Sequence, residues 1–220
     1  GAVSLCHIGG MDDAAPTTEE LRAARAATWE ADVVLRDGSV SRVRPIVPSD
    51  GDLIRAFHAQ QSEESIYLRF FAPLRELSAK DIHRFTHVDY VDRMALVALV
   101  HDEIVGIGRY DRVSPSSAEV AFNVSDHHHG KGIGRALLMR LLELCTEKGF
   151  RQMIAVIGGS DHAPSIRLHE RAGFGMIGVF EGSGFKFGRW LGTVYLQKQL
   201  KPRKKPGVLS RIFGRGEQSS

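Results

Sequence analysis

The stretch AEVAFNVSDHHHGKGIGRALLMRL, residues 118–141, places a glycine-rich turn between an apolar strand and an amphipathic helix. Gly130, Gly132 and Gly134 permit left-handed backbone angles and a close approach of the backbone to a ligand. The first amides of the following helix have no internal partners, and together with the helix dipole they favour a bound anion. We therefore expect a phosphate-binding turn here, and a pyrophosphate fits such a nest.

The glycine spacing leaves more than one ligand open. The turn reads G-x-G-x-G, which is neither the Walker pattern nor the G-x-G-x-x-G dinucleotide fingerprint. A tight turn without a ligand has the same pattern. The preceding residues His127, His128 and His129 do not suggest a metal, because consecutive residues in an extended chain point to opposite sides. We expect no native metal site.

Apolar patterns on either side of the turn predict further strands and helices. Helices are expected behind Asp50, behind Ser78, after the glycine turn and from Pro164, where a first-turn proline is favourable. The predicted strands lie at 33–46 (two short strands), 94–100, 103–113, 118–125, 152–158, 175–182 and 190–200. The helix after the turn connects two parallel strands by a right-handed crossover. The sequence predicts an α+β fold whose central mixed, mostly antiparallel sheet has about seven strands, with helices on both faces.

Composition indicates an ordinary globular domain. The 220 residues are 43% hydrophobic and 25% charged, with a net charge of +3. No apolar run approaches the ~20 residues of a membrane span. The basic run Arg203–Lys205 lies in a short tail rather than across a face, so we expect no nucleic-acid partner. Cys6 and Cys145 are interpreted as free thiols in a reducing cytoplasm.

Three regions are expected along the chain. Residues 1–32 are interpreted as a flexible or weakly helical amino-terminal extension. Residues 33–200 carry the domain, and residues 201–220 form a basic tail that we expect to be disordered.

NVSDHHHGKGIGRALL resembles the acetyl-coenzyme A motif of the GNAT N-acetyltransferases, and the predicted element order is that of the GNAT fold. The resemblance covers about 33–200. LRDGSVSRVRPI, SEESIYLRFF and THVDYVDRMALVALV are similar to bacterial protein-lysine acetyltransferases. AVIGGSDHAPSIRLHERAGF and GFKFGRW are similar to phosphinothricin and methionine sulfoximine acetyltransferases.

The resemblance implies acetyl-CoA as cosubstrate, with no metal. It implies that backbone groups of Phe122, Asn123 and Val124 hold the pantetheine arm and polarise the acetyl carbonyl. The other residues that it assigns to the cofactor are His129, Gly130, Lys131, Gly132, Ile133, Gly134, Arg135 and His162. His129 replaces the family's Gln or Arg, and His162 replaces its Asn. A neutral imidazole brings no fixed charge, so Lys131 or Arg135 is expected to supply the positive charge beside the pyrophosphate.

The resemblance also implies roles in the chemistry. An amine with a pKa near ~10.4 must lose a proton before it attacks a thioester, and Glu119 is the expected general base. A solvated carboxylate on a strand is the alternative for Glu119. His169 takes the place of the tyrosine that protonates the leaving thiolate in many members, or else it merely packs there.

Four residues are candidates for binding the acceptor, although each could instead be an ordinary surface or core side chain. These are Arg69, Phe185, Lys186 and Arg189.

Three functions remain open at this point. The first is acetylation of the α-amine of a small amino-acid-like acceptor, which a pocket closed by the carboxy-terminal hairpin favours. The second is acetylation of protein lysine, which an open groove over Glu119 favours. The third is an acetyl-CoA-binding regulatory module with little turnover. A homodimer is possible, since the phosphinothricin branch is often dimeric.

Overall fold

The computed structural model describes residues 24, 29–70, 74–159 and 163–200. Its strands are β1 (Ala31–Val34), β2 (Val40–Pro45), β3 (Arg93–Val100), β4 (Glu103–Ser114), β5 (Ser117–Val124), β6 (Gln152–Gly158), β7 (Gly175–Lys186) and β8 (Arg189–Gln199). They form one eight-stranded sheet in the order β1-β2-β3-β4-β5-β6-β8-β7. Every neighbouring pair is antiparallel except β5 and β6. The expected mixed α+β sheet is confirmed, and its strands number eight.

Five α-helices accompany the sheet in the described part of the chain. They are α1 (Gly51–Ala59), α2 (Glu63–Phe70), α3 (Ala79–Thr86), α4 (Ile133–Glu147) and α5 (Ala163–Arg171). Local chemistry explains where they begin. Ser78 caps α3, because its Oγ accepts a hydrogen bond from the Asp81 amide at 3.2 Å while the Asp81 carboxylate accepts one from the Ser78 amide at 3.0 Å.

Helices cover both faces of the sheet, as expected. On one face Ile54 and Phe57 of α1 pack with Ala95 and Val97 of β3. On the other face the apolar side of α4 packs against the larger of the two cores. Alternate residues of β4 and β5 therefore face different cores, which decides what each side chain can reach.

Two glycines on β4 allow α4 to lie close to the sheet. A Cβ on Gly106 would lie 2.7 Å from Ile133 Cγ2, and one on Gly108 would lie 3.1 Å from Leu141 Cδ1. The close approach fixes the start of α4 above the end of β5, so the position of the glycine turn depends on it.

The expected terminal regions lie mostly outside the described residues. Only residues 24 and 29–32 of the amino-terminal extension are described, and the tail 201–220 is not. Within the described residues, no helix combines the length and apolar character needed to span a membrane.

Candidate active site

A gap opens between β5 and β6, the two parallel strands. They pair only where Ser117–Val120 lies beside Gln152–Ala155. Beyond that point 121–124 and 156–158 line a cavity of ≈ 890 Å³. Its wall continues from the glycine turn at the end of β5 to Glu119 near the beginning, roughly 16 Å along the strand. The size suits a sizeable extended ligand.

The backbone of β5 alternates between its two neighbours. The Ser125 amide donates to Val105 O at 2.8 Å on the β4 side, and the Arg151 amide donates to Ser116 O at 2.8 Å on the β6 side. Because odd and even residues point opposite ways, the peptide groups of Phe122 and Val124 face the gap. Those of Asn123 face β4, so the expected backbone contact of Asn123 with the pantetheine arm is corrected, although Asn123 still lines the cavity.

The glycine turn has the geometry expected of an anion cradle. Gly130 and Gly132 have φ of 78° and 104°, which favour glycine over other residues. Helix α4 begins at Ile133 with Gly132 as its N-cap. The amides of Gly132, Ile133, Gly134 and Arg135 therefore lack intrahelical acceptors. A Cβ on Gly134 would lie 3.2 Å from Leu168 Cδ2, so this glycine also lets α4 and α5 pack closely.

The β1–β2 hairpin holds the glycine turn from outside. The Arg36 amide donates to Lys131 O at 3.0 Å, and Arg36 Nη1 donates to Gly130 O at 3.1 Å. Lys131 Nζ lies 3.1 Å from Asp37 Oδ2. Hydrogen bonds from Ser39, together with Lys131, lower the pKa of Asp37 to about 2, so the ion pair forms at neutral pH.

Lys131 is therefore engaged with the hairpin. Of the two expected charge donors, Arg135 lines the cavity, as does the unforeseen Arg36. Arg36 lies 94 residues before Gly130, so no local pattern could have identified it.

The histidines brace the turn. His129 Nε2 donates to Val124 O at 2.9 Å, which ties the side chain to the end of β5. Asp126, 3.8 Å from His129 Nε2, accepts hydrogen bonds from the Ser62 amide at 2.9 Å and from Ser65 Oγ at 2.7 Å. These contacts link the turn to the start of α2.

The described residues contain no group of three His, Cys, Asp or Glu placed to hold a metal. Burial lowers the pKa of His128, which favours its neutral form. His162 lies outside the described residues.

Glu119 lines the cavity on the sheet face that α2 covers. Burial raises the pKa of Glu119; the charge of Arg69 opposes that rise and the charge of Asp111 adds to it. Asp111 itself is paired with Arg93 at 3.0 Å. Within the described residues, Glu119 has no hydrogen bond or ion pair, so its carboxylate is available to a ligand amine.

His169 lies beneath the gap on the opposite face. Its ring stacks on Phe122 at 5.2 Å, and its Nδ1 donates to Ser165 O at 2.9 Å. Its Nε2 is buried without a partner in the described part of the chain. Burial lowers the pKa of His169, so the neutral ring, protonated on Nδ1, is favoured near pH 7.

The expected acceptor residues lie in two places. Arg69 lines the cavity with Glu119. Phe185, Lys186 and Arg189 lie at the tip of the β7–β8 hairpin and do not line that cavity in the described structure. Phe185 is 60% exposed and packs edge-on against Trp190.

The hairpin tip closes onto α2. Arg189 Nη2 lies 3.0 Å from Glu64 Oε1, and the Phe187 ring lies 5.6 Å from the Tyr67 ring. Lys186 Nζ lies 5.8 Å from the centre of the Tyr67 ring. The tip thus fixes the helix that carries Arg69.

Comparison with known proteins identifies this architecture. The model of the "Acetyltransferase (GNAT) family" matches residues 59–174. Relatives of the chain include phosphinothricin and methionine sulfoximine acetyltransferases. A phosphinothricin N-acetyltransferase of Alcaligenes faecalis is 36% identical over 110 residues, and the match covers 48% of this chain and 56% of that enzyme. The chain thus spans little more than half of that relative's length.

Two solved structures match over more of the chain. The GNAT domain of S. lividans PAT is 40% identical with a TM-score of 0.69, and the match covers 79% of this chain and 98% of that one. A GNAT superfamily phosphinothricin acetyltransferase from Sinorhizobium meliloti, solved in complex with AcCoA, is 30% identical with a TM-score of 0.65. That match covers 78% of this chain and 97% of the other.

Proposed function

Since the chain belongs to the GNAT acetyltransferase family, we propose that it moves an acetyl group from acetyl-CoA to the primary amine of a small amino-acid-like acceptor of phosphinothricin or methionine sulfoximine type. The observation that carries the proposal is one cavity that joins the glycine cradle, the open gap between β5 and β6, and Glu119.

The cavity fits acetyl-CoA. The amides of Gly132–Arg135 would hold the pyrophosphate, with positive charge from Arg36 and Arg135. The peptide groups of Phe122 and Val124 would meet the pantetheine arm as a neighbouring strand would. A solved relative bound to AcCoA supports this assignment.

Glu119 takes the proton that the chemistry must remove. The acceptor amine attacks the thioester carbonyl, a C–N bond forms and the C–S bond breaks, and the amine proton passes to the Glu119 carboxylate. Burial without a partner keeps this carboxylate basic. An amide facing the gap, such as that of Phe122 or Val124, would stabilise the oxyanion.

The acid role of His169 stays a prediction. The Nδ1–H of His169 donates to Ser165 O. To protonate the leaving thiolate, the ring would need a second proton on Nε2 and would therefore have to be an imidazolium. Because burial lowers the pKa of His169, that form becomes scarcer as pH rises towards neutrality. Protonation of the thiolate by solvent is the competing route.

The small acceptor is preferred over protein lysine because of the β7–β8 hairpin. Its tip lies against α2 through Arg189 and Phe187, and so contacts the helix whose Arg69 lines the cavity beside Glu119. The phosphinothricin relatives point the same way. Protein lysine remains the second candidate, on the resemblance of LRDGSVSRVRPI, SEESIYLRFF and THVDYVDRMALVALV to bacterial protein-lysine acetyltransferases. A cytoplasmic location stays a prediction.

The test is an amine panel with acetyl-CoA, with thiol release as the readout. The panel contains methionine sulfoximine, phosphinothricin and lysine peptides. We expect turnover with the two small amino acids to exceed that with the peptides. Preferential turnover of the peptides would transfer the proposal to protein lysine. Acetyl-CoA binding without turnover of any amine would support the regulatory module instead.

We also propose that the protein forms a homodimer through β7. This edge strand has 12 residues, whereas the opposite edge strand β1 has four. Apolar side chains are exposed along it, including Ile177 at 58% and Phe180 at 63%. A long apolar edge is a liability unless it is covered, and a second copy of the same strand would cover it symmetrically.

A further inference from the structure

A second, smaller cavity adjoins the acceptor side of the large one. Its volume is ≈ 50 Å³, and it lies between the sheet and helices α1 to α3. Arg69, Ala121 and Asn123 line both cavities, so the two are neighbours. In the described structure, Arg109 of β4 lines the smaller cavity but not the large one.

Two guanidinium groups, those of the buried Arg109 and the partly buried Arg69, line this cavity, and no carboxylate lines it among the described residues. Arg109 is only 9% exposed, and its contacts are Phe85 O at 3.5 Å from Nη2 and the Phe85 ring at 4.8 Å. Arg69 lies 5.0 Å from the centre of the Phe70 ring. In the described part of the chain, neither arginine has an ion pair. The nearby carboxylate of Asp111 is paired with Arg93.

The charge of Arg69 makes the charge of Arg109 less favourable. Asp111 and Glu119, by contrast, make the charge of Arg69 more favourable. Burial, and then the charge of Arg69, lower the pKa of Arg109 to about 10. Burial also lowers the pKa of Arg69. Arginine stays protonated in proteins, so the described part of the chain holds two cations that lack a directly paired counter-ion. An anionic ligand group would supply it, since guanidinium binds carboxylate and phosphinate through paired hydrogen bonds.

The distance between Arg109 and Glu119 indicates how large a ligand could reach both residues. Arg109 lies directly across from Ala121, which is two residues beyond Glu119 on the same face of β5. The separation along the strand is roughly 7 Å. One small molecule can therefore place its amine near Glu119 and an acidic group between the two arginines.

We propose that Arg109 and Arg69 together bind an acidic group of the acceptor, so that the acceptor is an amino acid with a free carboxylate or phosphinate. This inference rests on the proposed function, and it adds Arg109 as a specificity-determining residue. A lysine side chain carries no acidic group, and its ammonium would be repelled by the two cations.

The first test measures anion binding without turnover. Methylphosphinate is titrated against the protein with CoA present, so that the glycine cradle is already occupied, and the melting temperature is recorded. We expect methylphosphinate to raise the melting temperature of the wild type and of Arg151→Gln, a matched exposed arginine. The rise should be absent in Arg109→Gln. An equal rise in Arg109→Gln would overturn the proposal.

The second test measures specificity. The ratio of kcat/KM for methionine sulfoximine to that for its α-carboxamide should be about 10- to 100-fold in the wild type, as for hydrogen bonds to charged groups. Arg109→Gln should lower that ratio by about tenfold. An unchanged ratio would contradict the proposal.

Two controls separate the possible failures. Arg109→Met removes the charge but keeps much of the volume, and it should melt no lower than the wild type because it removes an unpaired buried cation. If no amine is acetylated, the proposed function fails, while the methylphosphinate measurement still decides the anion site.

Discussion

At the scale of single residues, the proposed site depends on charged side chains that have no ion pair within the described part of the chain. Glu119 is a partly buried carboxylate without an ion pair in the described structure, and burial raises its pKa. Such a group favours its protonated form in the folded state. Its contribution to stability is therefore fully present below the pKa of the unfolded chain, and is lost as pH rises through the raised folded pKa. Holding this carboxylate charged at neutral pH costs stability and provides a base.

The sequence predicted some residues of the proposed site and missed others. Glu119 was predicted from the resemblance to the GNAT N-acetyltransferases, because the pattern of the strand alone fits a solvated carboxylate equally well. Arg36 and Arg109 were not identified, because each reaches its site through pairing with a distant segment. No local spacing encodes such a contact. The ion pair of Lys131 with Asp37 was missed for the same reason, since Asp37 lies on the distant β1–β2 hairpin.

At the scale of elements, the glycine turn and α4 form the proposed cofactor cradle. The sequence predicted both, because left-handed glycines and a helical apolar stripe are local signals. It did not predict how α4 is held against the sheet. Gly106 and Gly108 leave room for Ile133 and Leu141 of α4. The sequence of β4 alone gives no sign that these two glycines have this packing role.

The cradle predicts a specific effect of Gly132→Asp. The aspartate would meet a backbone φ of 104° and place a negative charge where the pyrophosphate is expected. We expect the Kd for acetyl-CoA, measured by calorimetry, to rise about tenfold or more.

Gly188→Asp is the matched control for this change. Gly188 also has a positive φ, of 72°, with nothing within 4 Å of a Cβ, but it lies in the β7–β8 turn. The Gly188→Asp variant should bear similar backbone strain, and its affinity for acetyl-CoA should equal that of the wild type. Equal affinities of the two variants would show that the cradle does not hold the cofactor.

At the scale of the whole molecule, the sheet order explains how distant segments meet. Strand β8 lies between β6 and β7, so the closing hairpin is brought beside the β5–β6 gap and its tip reaches α2. The sequence predicted the strands and the crossover. It placed Phe185, Lys186 and Arg189 in the connection between the last two strands, but it did not predict that this tip would lie outside the cavity that contains Glu119. Strand pairing sets that distance, and pairing is not a property of either strand alone.

The exposed edge predicts the oligomeric state. We expect light scattering after gel filtration to give the mass of a dimer for the wild type. Phe180→Glu places a charge on β7 and should yield monomers, whereas Val113→Glu alters a comparably exposed position on β4 and should remain dimeric. A monomeric wild type would refute the proposed interface.

The central claim is that Glu119 accepts the proton of an amine held beside the open β5–β6 gap. The most direct measurement is the pH profile of thiol release, with acetyl-CoA and the best acceptor, for the wild type, Glu119→Gln and the exposed control Glu103→Gln. We predict that the wild-type and control rates rise with pH as Glu119 loses its proton, with a midpoint above the ordinary carboxylate value of 4.5. The rate of Glu119→Gln should be about 100- to 10,000-fold lower at neutral pH, and its profile should lack the rise that follows deprotonation of Glu119. A Glu119→Gln variant with the full wild-type rate at neutral pH would contradict the account.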